Sequence, residues 1–157
     1  MNLLRVKKRY RGASAIEIAI SVFAIIFIIG GILAIFNPNK KVAQKRNETR
    51  IENVNTISNA ISLYLADNGS YSLATIPVGD NCLDSSNQIC KTSAASCEGL
   101  VDLNLLTRTD KYLSSIPVDP VGKSQFWTGY NVVKGESGVV TVCAPLAEQK
   151  VDISLSK

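Results

Sequence analysis

The sequence of 157 residues contains no histidine, the side chain that most often serves as a general base and the commonest metal ligand. It also contains no glycine-rich phosphate loop, no CxxC pair and no paired metal-binding motif. Serines are plentiful, but no side chain is suited to activate one as a nucleophile. These absences disfavour zinc and thiol redox sites and leave no catalytic set. We therefore expect a chain that is not an enzyme and that uses no cofactor and no metal.

Acidic residues are absent before Ala13, and five basic residues are concentrated there: Arg5, Lys7, Lys8, Arg9 and Arg11. The whole chain has 17 basic and 13 acidic residues, so removing these five leaves 12 basic residues against 13 acidic ones. A nucleic-acid-binding domain would carry a basic patch on its folded surface. The net charge of +4 is instead mostly a property of the leader, and we expect no direct binding to nucleic acid.

Charge is almost missing from residues 13–36, a run of 24 residues whose only charged member is Glu17. As a helix this run would be about 36 Å long, enough to cross the ~30 Å hydrocarbon core of a bilayer. A buried helix of a soluble domain is one alternative, but the run is apolar on every face and about twice the usual helix length. A secretory signal is another, but its apolar part is usually about 7–15 residues and precedes the cleavage site. We predict a transmembrane helix over residues 13–37.

A helical pattern continues beyond the apolar run. Apolar residues recur at spacings of three and four along one face: Ile51, Val54, Ile57, Ile61 and Leu65. We expect this amphipathic half to cover residues 38–69 and to end at "DNGS", where Gly69 suits a left-handed helix terminator. Gly30, Gly31 and Pro38 weaken helical hydrogen bonding, and Pro38 predicts a kink or a break within "FNPNK".

Residues 70–157 predict a small head with an antiparallel sheet, giving an α+β fold in which the long helix packs on that sheet. "QFWTGYNVV" and "GVVTVCA" are rich in β-branched and aromatic residues and are joined by "KGES", which predicts a hairpin; "DISL" could add a short strand. Residues 76–96 predict a loop, "CEGLVDLNLL" a short helix, and "KYLSSIPVDPVG" an ordered loop. We interpret Trp127, Phe126 and Tyr130 as packing residues rather than a binding platform.

The cysteines all follow the apolar run: Cys82, Cys90, Cys97 and Cys143. An even number beyond a single span predicts disulfides in an oxidising compartment, and four cysteines allow three pairings. We favour a local Cys82–Cys90 bond with a Cys97–Cys143 bond; free buried thiols are the alternative. Basic residues flank both ends of the span, so the charge rule is nearly balanced. The cysteines favour a cytoplasmic leader and a head outside.

The stretch "KKRYRG" is followed by "ASAIEIAISVFAIIFIIGGILAIF". A short basic leader ending in Gly12, a small Ala13, Glu17 four residues later and a long apolar helix together resemble the N-terminus of type IV pilins and type II secretion pseudopilins. "RNETRIENVNTISNAISLYLADNGSYS" resembles the second half of the family's long helix. "YLSSIPVDPVG", "TGYNVV" and "VTVCAPL" resemble the loop and strands of its small bacterial heads.

This resemblance implies a mechanism. A prepilin peptidase of the membrane would cut after Gly12, removing a leader of residues 1–12, and would methylate the new amine of Ala13. Inner-membrane assembly machinery would pull subunits from the lipid bilayer into a helical filament of the same or related subunits at the cell surface. In this family a weak stretch of the helix melts or extends when the filament forms, and here Gly30, Gly31 and Pro38 would provide such a stretch. "PVDPVG" resembles a loop near the calcium site of some pseudopilins, but the acidic cluster expected further on is missing, so we interpret Asp119 as a turn residue.

The position of Glu17 fits this mechanism physically. An unpaired charge inside a bilayer costs a few kcal/mol or less near its edge, and cleavage would create an α-amine on Ala13, one helical turn away. The carboxylate could pair within its own chain or with a neighbour; a glutamate that only caps the helix start is the alternative. Small residues spaced by four would let helices approach closely, or would be simple apolar filler: Ala15 and Ala19, and Gly30 and Ala34.

Two other functional classes remain open from the sequence. A membrane-anchored extracellular binding domain that never polymerises would keep the anchor and the cysteines but would give no role to Gly12 and Glu17. An enzyme of the cell envelope is disfavoured by the lack of a catalytic set. The sequence does not distinguish a pilus from a secretion or DNA-uptake pseudopilus, or a major from a minor subunit.

Overall fold

The structure is a computed structural model that describes Gly12 and residues 14–35, 38–69 and 73–157. The chain divides into two compact units, with the boundary between Pro38 and Asn39. The first unit contains helix α1, and the second contains nearly all of helix α2 together with the sheet. This arrangement confirms the α+β class predicted from the sequence.

Helix α1 spans Ala15–Ile35 and carries one charged residue, Glu17, in its first turn. Its segment Ala15–Ile32 is long and apolar enough to cross a membrane. Gly30 and Gly31 lie inside the helix, and a Cβ added at either would have nothing within 4 Å. The two glycines therefore do not end the helix, although glycine in a helix interior weakens it by roughly 0.5–1 kcal/mol relative to alanine.

Helix α2 spans Pro38–Asn68. Pro38 is its first residue, a position that tolerates proline because the first turn needs no N–H donor there. The predicted terminator is confirmed: Gly69 has φ of +89°, and its N–H donates to the carbonyl of Leu65 at 2.8 Å. The sequence thus located the residue that ends α2, whereas the predicted kink or break within "FNPNK" includes residues 36 and 37, which lie outside the described residues.

The buried face of α2 only partly matches the predicted stripe. Val54, Ile57 and Ile61 are buried in the main core, as expected, but Ile51 is 48% exposed. Arg50 is buried instead, with no exposed surface. A stripe of hydrophobic residues gives no indication that a charged side chain takes the inward position on this turn.

Four antiparallel strands form one sheet in the order β1-β2-β3-β4. Their bounds are Gln88–Cys90 for β1, Trp127–Lys134 for β2, Val140–Cys143 for β3 and Ser154–Ser156 for β4. The β2–β3 hairpin and the C-terminal strand confirm the sequence predictions. The turn between β2 and β3 closes with the N–H of Gly135 donating to the carbonyl of Val139 at 2.8 Å.

Two predictions for the segment between α2 and β2 were wrong, one of a loop and one of a short helix. The polar segment 76–96 contains a short 3-10 turn, Ser85–Asn87, and strand β1. "CEGLVDLNLL" forms only a 3-10 turn at Asn104–Leu106, not a helix. The first error arises because β1 has only three residues, too few for an alternating pattern to be recognised. Its fully buried side chain, Ile89, anchors it to the core.

Strand β2 is covered on both faces. Tyr130 and Val132 belong to the core that contains Val54, Ile57 and Ile61 of α2. On the other face, the side-chain amide of Asn131 donates to the carbonyls of Cys82 and Asp84, each at 2.9 Å. The loop containing Cys82 therefore lies over the sheet, opposite α2.

Candidate functional site

The first turn of α1 brings Ser14 and Glu17 together. The N–H of Ser14 donates to Oε2 of Glu17 at 3.2 Å, and the N–H of Ile18 donates to the carbonyl of Ser14 at 3.1 Å. The glutamate side chain thus reaches back over the N-terminal end of the helix, where the helix dipole favours a negative charge. Gly12 is exposed, while Ala13 lies outside the described residues, so the predicted contact between its amine and Glu17 stays a prediction.

The surface of α1 is apolar and uncovered. Eleven large apolar side chains of this helix are between 48% and 84% exposed, with Phe27 the most exposed. Ala15 and Ala19 are exposed as well. Within its own compact unit, α1 leaves these side chains uncovered.

The head contains two disulfides, as expected from the even cysteine count, but the favoured pairing was wrong. The bonds are Cys82–Cys143 and Cys90–Cys97. Cys90 lies on β1 and Cys143 on β3, with β2 between them. The loop of Cys82 crosses over β2, held by Asn131, whose register partner is Cys143. The fold therefore brings Cys82 to Cys143 and leaves Cys90 to close a short local loop with Cys97.

A buried ion pair joins Arg50 of α2 to Asp119, which lies between Pro117 and Pro120 in the loop before β2. Nε of Arg50 donates to Oδ2 of Asp119 at 2.7 Å, and Nη2 donates to Oδ1 at 3.2 Å. Both side chains have no exposed surface. Asp119 also accepts the N–H of Val121 at 2.9 Å. Asp119 is thus a turn residue, as interpreted from the sequence, but its larger role as the partner of a buried arginine was missed.

Glu148 extends this network towards the surface. It accepts two hydrogen bonds from Arg46, at 2.7 and 2.6 Å, and one from Nη1 of Arg50 at 3.1 Å. Asn47 completes the set: its Oδ1 accepts Nη1 of Arg50 at 2.8 Å and the N–H of Glu148 at 3.0 Å. These contacts tie two adjacent turns of α2 to the C-terminal part of the head.

The network shifts the ionisation of its members. The hydrogen bonds from Arg46 hold the pKa of Glu148 below its ordinary value; partial burial opposes this shift and Arg50 adds to it. Burial lowers the pKa of Arg50, but hydrogen bonds to Asp119 and Glu148 outweigh burial and raise it. Both groups stay charged at neutral pH. Within the described residues, the guanidinium of Arg50 thus donates to Asp119, Asn47 and Glu148.

No group of three or more histidine, cysteine, aspartate or glutamate side chains is placed to hold a metal ion within the described residues. Asp119, the residue closest in sequence to the loop that resembles a calcium site, uses both carboxylate oxygens on Arg50. Comparison of the chain with protein-family models, curated proteins and solved structures finds no match.

Proposed function

We propose that this chain is a structural subunit of a type IV pilus or a type II secretion pseudopilus, cut after Gly12 and polymerised through α1. The observation that supports this proposal is the contrast between its two units. Helix α1 presents an apolar surface with a single carboxylate in its first turn. The second unit has a core, two disulfides and a buried ion pair within itself.

The exposed surface of α1 requires a partner on energetic grounds. Full burial of one large aliphatic or aromatic side chain is worth about 1.5–3 kcal/mol. Eleven such side chains at about half exposure or more therefore represent on the order of 10 kcal/mol. A bilayer satisfies this demand before assembly, and packing against α1 helices of other subunits satisfies it in a filament.

Glu17 supports a filament over a simple anchor. A lipid-spanning anchor needs no carboxylate, and a charge in the apolar segment costs free energy that falls towards the interface. Its side chain already reaches the backbone of Ser14, which follows Ala13. Cleavage after Gly12 would place an α-amine at Ala13, within range of that carboxylate or of the carboxylate of a neighbouring subunit.

The same features support a cellular location for the protein. A single apolar helix fits a single-pass membrane protein before assembly. The basic leader fits the cytoplasmic side, and two disulfides fit an oxidising compartment outside. A head that remains anchored without polymerising is the competing function, and it differs in one observable: its N-terminal leader would remain.

Mass spectrometry of the N-terminal peptide of the membrane-extracted mature protein tests the proposal. A peptide beginning at Ala13, with or without one added methyl group, is expected. Replacing Gly12 by leucine should leave uncut protein in the membrane. The matched control is Gly31→Leu, because a side chain at Gly31 meets nothing within 4 Å and should leave cleavage unchanged. An intact Met1 on the native protein would support the anchored binding domain instead.

A further inference from the structure

A cleft of about 400 Å³ opens between the Cys90–Cys97 loop and the start of β2. Its lining includes Gln88, Glu98, Ser124, Phe126 and Trp127. Two contacts hold its walls together: the N–H of Lys91 donates to the carbonyl of Phe126 at 2.7 Å, and Nζ of Lys91 donates to the carbonyl of Ser124 at 2.5 Å. The cleft is therefore built from paired backbone and a disulfide loop.

Two aromatic side chains, Phe126 and Trp127, line this cleft. Phe126 is 48% exposed. Trp127 is partly exposed, and its indole N–H donates to the carbonyl of Tyr130 at 3.0 Å, which fixes the orientation of the ring. Tyr130 itself is buried in the core, as expected. Fixed, solvent-accessible aromatic rings attract cations through the negative potential of their faces, tryptophan most strongly.

The charge on the described lining of the cleft is negative. Among the described residues that line it, Glu98 alone has an ionisable side chain, and it is exposed. The nearby ammonium of Lys91 is directed at the carbonyl of Ser124 and does not line the cleft. The lining thus combines two aromatic rings, one carboxylate and the neutral amide of Gln88.

We propose that this cleft binds an organic cation, a substituted ammonium group whose apolar substituents pack on Phe126 and Trp127 while Glu98 supplies the counter-charge. Aromatic faces recognise alkylated ammonium groups, and the carboxylate of Glu98 in the lining has the charge opposite to theirs. The group could belong to a choline-type molecule or to a lysine side chain of a peptide. The proposal uses only residues of the second unit and does not depend on whether the chain forms filaments.

Trp127 is the only tryptophan in the chain, so its fluorescence reports directly on the cleft. The full chain in a nonionic detergent would be titrated separately with choline chloride and with N-acetyl-lysine methylamide. Saturation-transfer NMR on the ligand protons would provide a second readout that does not require a fluorescence change. Saturable binding of either probe is expected, and the tighter one identifies the source of the ammonium group. Absence of binding by both readouts for both probes would overturn the proposal.

Two matched comparisons separate a cation site from a general apolar cleft. The neutral analogue of choline, with carbon in place of nitrogen, should bind at least about tenfold more weakly; equal binding would contradict the role of charge. Glu98→Gln should also weaken binding about tenfold, the effect of losing one charge-assisted contact. Glu136→Gln removes an equal charge from the exposed β2–β3 turn and should leave binding unchanged. Equal losses in the two variants would show that net charge, not the cleft, attracts the probe.

Discussion

Removal of the Asp119 carboxylate should destabilise the head strongly, although the side chain lies in a loop. Asp119→Ala would leave the guanidinium of Arg50 buried without its closest partner, which now accepts bonds of 2.7 and 3.2 Å. Breaking a buried pair from one side costs about 3–5 kcal/mol. Asn47 and Glu148 still accept Nη1, so we expect the lower end, about 3 kcal/mol. For a unit of this size that corresponds to a fall in Tm of about 10 °C or more.

The assay is thermal unfolding of the full chain in detergent, followed by Trp127 fluorescence. The matched control is Asp67→Ala, which breaks an equally short ion pair with Lys111 at 2.7 Å. In that pair the two side chains are 46% and 62% exposed, and exposed pairs contribute little. A much smaller fall in Tm is therefore expected for the control. Similar falls in the two variants would refute the assignment of the stabilisation to a buried charge pair.

A double-mutant cycle isolates the pair itself. Arg50→Met removes the buried charge while keeping a long side chain in place. In that background Asp119→Ala should cost much less than in the wild-type chain, because no guanidinium is left unpaired. Additive losses would mean that Asp119 acts only through its turn with Val121.

Three further predictions concern the helix, a close approach and pH. The Glu17→Ala variant should be inserted and cleaved but should yield few filaments in a shear-release assay. A normal filament yield would show that the carboxylate acts only as a helix cap. Gly129→Ala should lower the free energy of unfolding by more than about 1 kcal/mol, because φ of Gly129 is +96° and the new Cβ would lie 2.3 Å from the Cβ of Asp119. The control is Gly138→Ala, which should cost less, because Gly138 has a similar φ of +88° but open space around it. The pKa of Glu148 is lower in the folded chain, so its stabilisation is complete above about pH 4.5 and is lost as pH falls through the folded value; Tm measured against pH should fall less steeply in Glu148→Gln.

The parts of the fold that the sequence predicted are those with a local signal. The spacing of Val54, Ile57 and Ile61 predicted the buried face of α2 because helical period and burial are linked directly. Gly69 marked the end of α2 because few other residues adopt a positive φ there. The β2–β3 hairpin followed from β-branched and aromatic residues on either side of a short polar turn.

The parts that it missed depend on pairings between distant residues. Nothing near Arg50 in the sequence indicates Asp119, 69 positions later, and a charge on an apolar stripe is normally solvated. The disulfide pairing was wrong for a related reason: Cys82–Cys90 and Cys90–Cys97 are both local pairings, and the choice between them depends on the distant Cys82–Cys143 contact, which the loop of Cys82 makes by crossing β2. For Glu17, the sequence predicted a carboxylate near the helix start, and the structure adds its bond to Ser14.

The residues that support the functional proposal and the residues that stabilise the fold lie in different units, so the two can be tested separately. The core, the disulfides and the Arg50–Asp119 pair all lie in the second unit. The apolar side chains that need a lipid or protein environment are the exposed ones of α1, and they do not belong to that core. Substitutions in α1 should therefore change insertion or assembly without moving the Tm reported by Trp127. If Glu17→Ala abolished filaments and also lowered that Tm, its effect would have to pass through the head, and a direct role of the carboxylate in subunit packing would no longer follow.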